Sequence, residues 1–226
     1  PIVGHGCTVI GLGKDVSERA NRFSHVLRNL SLIANGYLPF VGRDAEGNAM
    51  SRLSWLQKIY WSNFGKPVGD RALFRVLAKY EIGSVLEIGV GNGARMRRLA
   101  KLAQMPSGCD CLRYVGTDEF EAAQDSRSHM SLKQAHQVAG RLNMKACLIP
   151  GDLSAAVPRV AHKVGASDLI IVDGGIDPES PLSGPVGPWL NRIGHATTIL
   201  LGCCEPGQEL IRVDSSLLDL PANRAA

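Results

Sequence analysis

From Asp70 onward, apolar positions alternate between short unbroken runs and runs with helical spacing. "DRALFRVLAKY" carries Leu73, Phe74, Val76, Leu77 and Tyr80 at helical intervals, and "SVLEIG" behind it reads as a strand. The spacing over 93–103 predicts a helix whose buried stripe is Met96, Leu99 and Ala103, which leaves Arg95, Arg97 and Arg98 on a solvated face. Further strands are predicted in "LRYVGTD", "KACLIPGD", "SDLIIVDGG" and "ATTILLGCC", and a last one, antiparallel at the edge, in "ELIRVDSSLLDL". Helices are predicted over 130–142 and after Asp152, the latter capped by Ser154 with Pro158 near its start. Alternating strand and helix of these lengths define an α/β chain with a doubly wound, mostly parallel sheet.

Upstream of Asp70 the pattern is helical but less regular. Residues 15–35 place Phe23, Val26, Leu27, Leu30 and Ile33 on one face, with Gly36 as the stop, and 50–61 read as a second short helix. The expected division is therefore a helical extension over 1–69 and an α/β domain over 70–226. "TVIGLGK" looks like another glycine turn, but its third glycine position is Val16, and it reads as a plain turn.

Bulk composition narrows the class. The 226 residues carry 45% hydrophobic and 20% charged positions with a net charge of +4, ordinary for a globular chain and too mild to imply nucleic acid. The 6 cysteines form no C-x-x-C pair and have no histidine at zinc spacing, so neither a structural metal nor a disulfide framework is expected. No apolar run approaches the roughly 20 residues of a membrane span, and no basic-then-apolar leader is visible. A reducing cytoplasm is the expected location, with no membrane partner. Pro1 is not a natural start, so the chain is expected to come from a longer gene product.

The polar residues of the α/β region collect at strand ends: Glu87, Asp118, Asp152 and Asp173 close the first four predicted strands. In an open parallel sheet the ligand crevice lies at those carboxyl ends, where the strand order reverses. "VLEIGVGNG" places Gly89, Gly91 and Gly93 directly after the first strand, where missing side chains let backbone approach a ligand. Read with Ala94, the stretch satisfies the G-x-G-x-x-G/A turn of dinucleotide-binding folds as well as an acid-then-glycines turn. Helical sequence before the first strand, and the acid two residues before the first glycine, favour the second template.

With Glu87, the three glycines, Asp118, "GDLS" and "IIVDGG" in register, the chain from about Asn63 to Cys204 resembles the class I S-adenosylmethionine-dependent methyltransferases. The closest pattern is that of small-molecule, catechol-type O-methyltransferases, through "NFGKPVGDRALFRVLAKYEIGSVLEIG" and "GDLSAAVPRV". The resemblance implies a Rossmann-like sheet and S-adenosylmethionine as cofactor. It puts Phe64 and Gly65 over the methionine, Glu87 toward its ammonium, and Asp118 and Glu119 at the ribose. Asp152, Leu153 and Ser154 would line the adenine, and Asp173 would face both cofactor and acceptor.

Two positions depart from that family. Cys203 and Cys204 stand where the catechol-type enzymes carry an Asp-Asn metal pair, so a magnesium site is not expected. Ile176 stands where related enzymes carry a lysine or histidine base, which leaves Asp173 and Asp177 as candidate catalytic residues, with His195 a weaker one at the wrong strand end. The implied partner is a small-molecule methyl acceptor, oxygen before nitrogen. Nucleic-acid bases are disfavoured because Asp-Gly-Gly replaces the Asn/Asp-Pro-Pro-Tyr signature, and a homodimer is compatible. Two alternatives stay open: "IIVDGGIDPESP" resembles polyamine-type aminopropyltransferases, which use the decarboxylated cofactor, and the missing ligands and base suit a non-catalytic cofactor-binding or scaffold protein.

Overall fold

The computed structural model describes residues 65–123, 129–218 and 220, together with Tyr60, Trp61 and Asn63. Most of the expected helical extension, with Phe64 and the "TVIGLGK" turn, lies outside the described residues. Strands β1 (Ser84–Ile88), β2 (Arg113–Asp118), β3 (Lys145–Pro150), β4 (Leu169–Val172), β5 (Ile199–Gly202) and β6 (Ile211–Arg212) form one sheet in the order β3-β2-β1-β4-β5-β6. The first five run parallel, and β6 pairs antiparallel with β5 at the edge. Order reverses between β1 and β4, so the carboxyl ends of those two strands flank the crevice.

The helices are α1 (Arg71–Lys79), α2 (Ala94–Leu102), α3 (Leu132–Arg141), α4 (Leu153–Lys163) and α5 (Leu190–Ile193). Strand periodicity divides them between two faces. Ile170 and Val172 of β4 point into a cluster with Ala156, Val157 and Val160 of α4 and Leu190 and Ile193 of α5. Leu169 and Ile171, equally buried, belong to the opposite face. α1 and α2 pack against each other and bury Leu73, Phe74, Leu77, Met96 and Leu99. With both faces covered, β1, β4 and β5 are buried at every position, which explains the apolar run of β4 and makes Ser84 and Glu87 the buried polar residues of β1.

One cap differs from the sequence reading. The N–H of Ala155 donates to Asp152 Oδ1 at 2.7 Å, so Asp152 caps α4 and Ser154 sits exposed within its first turn. Asp152 has the extended backbone a cap needs (φ −65°, ψ 172°), which Ser154, already helical, lacks. Pro158 lies inside α4 rather than near its start.

At the amino ends of the strands, Asp168 Oδ2 accepts from the N–H groups of Gly83 and Ser84 at 2.9 and 2.8 Å and from the Ser84 hydroxyl at 2.9 Å. His195 Nε2 lies 3.1 Å from Asp168 Oδ1. This clasp joins the lead-in segments of β1, β4 and β5, and it places His195 at the end of the sheet away from the glycine turn.

The cap assignment is checked by urea unfolding. Asp152→Ala is expected to cost about 1 kcal/mol, and Ser154→Ala close to nothing.

Candidate functional site

The segment after β1 turns through three glycines in left-handed backbone, Gly89 (φ 90°), Gly91 (φ 55°) and Gly93 (φ 68°), and Gly93 is the N-cap of α2. Positive φ at all three is backbone that glycine adopts without steric cost. At Gly93 a Cβ would also press on the methyl end of Met130, which would have to move aside.

Asp118, at the end of β2, holds this turn. Its Oδ2 accepts the Gly91 N–H at 2.7 Å, and its Oδ1 accepts the Phe120 N–H at 3.1 Å. His129 Nδ1 donates to the same Oδ1 at 2.8 Å. His129 is thus a partner of the strand-two acid. The ring is only partly covered, 31% exposed, whereas the Asp118 side chain is 3% exposed. Glu119 beside it is exposed.

Across the switch point the carboxyl ends of β1 and β4 meet one guanidinium. Arg95 Nε donates to Asp70 Oδ1 at 3.2 Å, and its Nη1 to Glu87 Oε1 at 3.4 Å and Asp173 Oδ2 at 3.2 Å. Arg98, one turn further along α2, pairs with Asp70 Oδ2. Arg95 is only 12% exposed, so the solvated face predicted for it is corrected: three carboxylates draw it inward. Its place in the first turn of α2 was a usable signal, because a cation at the positive end of a helix dipole needs nearby acids. Asp70, which reads from sequence as a domain boundary, is a buried member of this cluster. Nothing local to it reveals that role.

Glu87 is fully buried, and the Tyr114 hydroxyl donates to its Oε2 at 2.6 Å. Burial pushes its carboxyl up from 4.5 to about 7, against the opposing pull of Arg95 and the Tyr114 hydrogen bond. Burial, and then the Glu87 carboxylate, raises the Tyr114 hydroxyl in turn. Asp173 is the most accessible acid of the group, with 20% of its side chain exposed, and its Oδ1 accepts the Gly207 N–H at 2.9 Å. Cys203 is buried beside it, its Sγ 3.7 Å from Asp173 Oδ1 and 3.2 Å from the Glu205 carbonyl oxygen. Burial and the neighbouring carboxylate push that thiol up. Cys204 is exposed.

A cleft of about 330 Å³ opens over this cluster, lined among others by Val90, Gly91, Asp70, Asp173, Arg95 and Arg98. Its wall therefore alternates cationic and anionic groups, which suits a ligand carrying both signs. Of the described sequence candidates, Gly91 and Asp173 line it and the others do not. Gly65 is buried, its N–H donating to the Trp61 carbonyl and its Cα so close to Phe74 that a Cβ would come within 2.5 Å of the ring. Leu153 packs against the core cluster beneath Gly175. Asp177 is exposed, and its Oδ1 accepts the Glu179 N–H at 2.9 Å. Ile176 is buried against Gly202. Among the described residues no group of three or more His, Cys, Asp or Glu side chains is arranged to hold a metal ion, and no helix is long and apolar enough to cross a membrane.

No protein-family profile matches the chain, and no curated protein matches it. Among solved structures it is similar to an O-methyltransferase from Bacillus cereus in complex with S-adenosylhomocysteine, at 18% identity and a TM-score of 0.38, covering 84% of this chain and 67% of that one. A TDP-rhamnose 3'-O-methyltransferase of calicheamicin biosynthesis aligns at 20% identity and a TM-score of 0.38, over 72% of this chain and 80% of that one. An O-methyltransferase of neocarzinostatin biosynthesis, bound to S-adenosylmethionine and a naphthoic acid, aligns at 12% identity and a TM-score of 0.36. The alignment covers 63% of this chain and 43% of that enzyme.

The buried Glu87 makes stability depend on pH. Because the folded state holds its proton more tightly than the unfolded chain, the stabilising contribution is full below pH 4.5 and lost as pH rises through about 7. Denaturant unfolding across that window is expected to show a loss on the order of 3 kcal/mol assigned to this group. Glu87→Gln is expected to flatten the slope.

Proposed function

We propose that the chain is an S-adenosylmethionine-dependent methyltransferase acting on a small molecule, at oxygen before nitrogen and without a metal. The observation that carries this reading is the convergence at the β1/β4 switch point. The glycine turn, Asp118 and Asp173 share one crevice edge, and its cleft carries both charge signs. That donor set fits the cofactor: a carboxylate for an ammonium, guanidiniums for a carboxylate, and a strand-end acid for a diol.

The cofactor supplies an electrophilic methyl group on a sulfonium. The chain supplies placement. Asp118 would accept from the ribose hydroxyls, with the partly exposed His129 giving way on its Oδ1 side, and the glycine turn would let the backbone lie close. Phe64, Gly65, Glu119, Asp152, Leu153 and Ser154 belong to the same proposal as residues around the methionine, ribose and adenine. In-line displacement gains most of its rate from orientation, which suits a site without a histidine or lysine base at position 176. Asp173, engaged by Arg95 and Gly207, is proposed to serve the cofactor, and Asp177 to act as the base for an acceptor hydroxyl.

Titration calorimetry with S-adenosylmethionine and S-adenosylhomocysteine tests the reading. Both are expected to bind, and binding of neither overturns it. Asp118→Ala is expected to weaken the cofactor by about 1.5–3 kcal/mol. With methyl-labelled donor, a panel of hydroxylated small molecules is expected to take up label. Transfer of an aminopropyl group from the decarboxylated donor instead would identify the other chemistry this fold supports.

A further inference from the structure

A guanidinium has five N–H donors in a fixed fork. Arg95 spends three of them inside the protein: Nε on Asp70, and both hydrogens of Nη1 on Glu87 and Asp173. Its Nη2 makes no hydrogen bond among the described residues and is not one of their buried unpartnered atoms, and the residue lines the cleft. The guanidinium that carries this edge lines the cleft. Two features fix it there. Glu87 lies fully buried beneath Arg95 and anchors it from below, while Asp70 is shared with Arg98, whose own guanidinium lines the same cleft. Beside the free edge stands Asp173, the most exposed of the three acids, paired to Nη1 at 3.2 Å. A cation edge and an anion side by side form the complement of an α-amino acid head, in which an ammonium and a carboxylate are likewise adjacent.

We propose that Arg95 is the residue that selects the carboxylate-bearing form of the cofactor over its decarboxylated form. Its Nη2 edge pairs with the carboxylate while Asp173 takes the ammonium. The decarboxylated donor brings the ammonium and the sulfonium without the carboxylate. It leaves the guanidinium edge unpaired and adds a second positive charge to a wall that already holds Arg95 and Arg98. This inference rests on the cofactor reading above. It also gives that reading a direction, because the same crevice with an apolar residue at position 95 would favour the aminopropyl donor.

The test is direct binding, measured by calorimetry for three ligands: S-adenosylmethionine, decarboxylated S-adenosylmethionine, and 5'-methylthioadenosine, which lacks the amino acid head. The wild-type chain is expected to prefer the first over the second by about tenfold or more, the worth of a charge-assisted hydrogen bond. Arg95→Met is expected to abolish or invert that preference while leaving 5'-methylthioadenosine unchanged. Since Arg95→Met strands the Glu87 carboxylate, the double variant Arg95→Met/Glu87→Gln removes cation and buried acid together and is expected to show the same lost preference in a folded protein. Equal wild-type affinity for the two donors, or a loss in both variants that is the same for all three ligands, overturns the proposal and leaves the cofactor reading standing. Failure of the wild-type chain to bind any of the three overturns both.

Discussion

One guanidinium bridging three acidic side chains is the interaction on which the carboxyl end of this sheet depends. β1 delivers Glu87, β4 leads to Asp173, and the segment before α1 delivers Asp70. Left alone, these acids would repel one another at the switch point, and Glu87 would be an unpaired buried charge. Removing one partner of such a group typically costs about 3–5 kcal/mol, mostly because the other charges stay buried. Arg95 makes their approach tolerable. α2 can present it there because the glycine turn brings the helix start directly over the strand ends.

The glycine turn is itself held in place by protein groups. Asp118 fastens the Gly91 N–H from the neighbouring strand, and the Met130 N–H donates to the Gly91 carbonyl at 2.9 Å. The loop geometry that a ligand would meet is thus set before any ligand arrives. Preorganisation of this kind lowers the ordering cost of binding.

The sheet was legible because its signal is local. Strands buried on both faces read as unbroken apolar runs, helices read by their stripe, and observed boundaries fall within a few residues of the expected ones. The strand-end acids were legible for the same reason, since a parallel sheet puts every such residue at one edge. What escaped depends on partners distant in sequence. Helical periodicity assigns Arg95 to the flank of its stripe and says nothing about the acids at 70, 87 and 173. His129 follows a loop whose return to Asp118 no periodicity encodes. The cap of α4 turned on backbone conformation: Asp152 and Ser154 are both good cap residues, and the geometry of the turn chose between them.

The two ends of the sheet are held in different ways. At the amino end, Asp168 binds the leads of β1 and β4 through backbone N–H groups and a short serine hydroxyl, with His195 bridging to β5. At the carboxyl end, the fastening is a long arginine side chain and a handful of acids. The sheet is therefore fastened by different chemistry at its two ends: side chains on backbone N–H groups at the amino end, and a buried ion-pair cluster under the ligand crevice at the other.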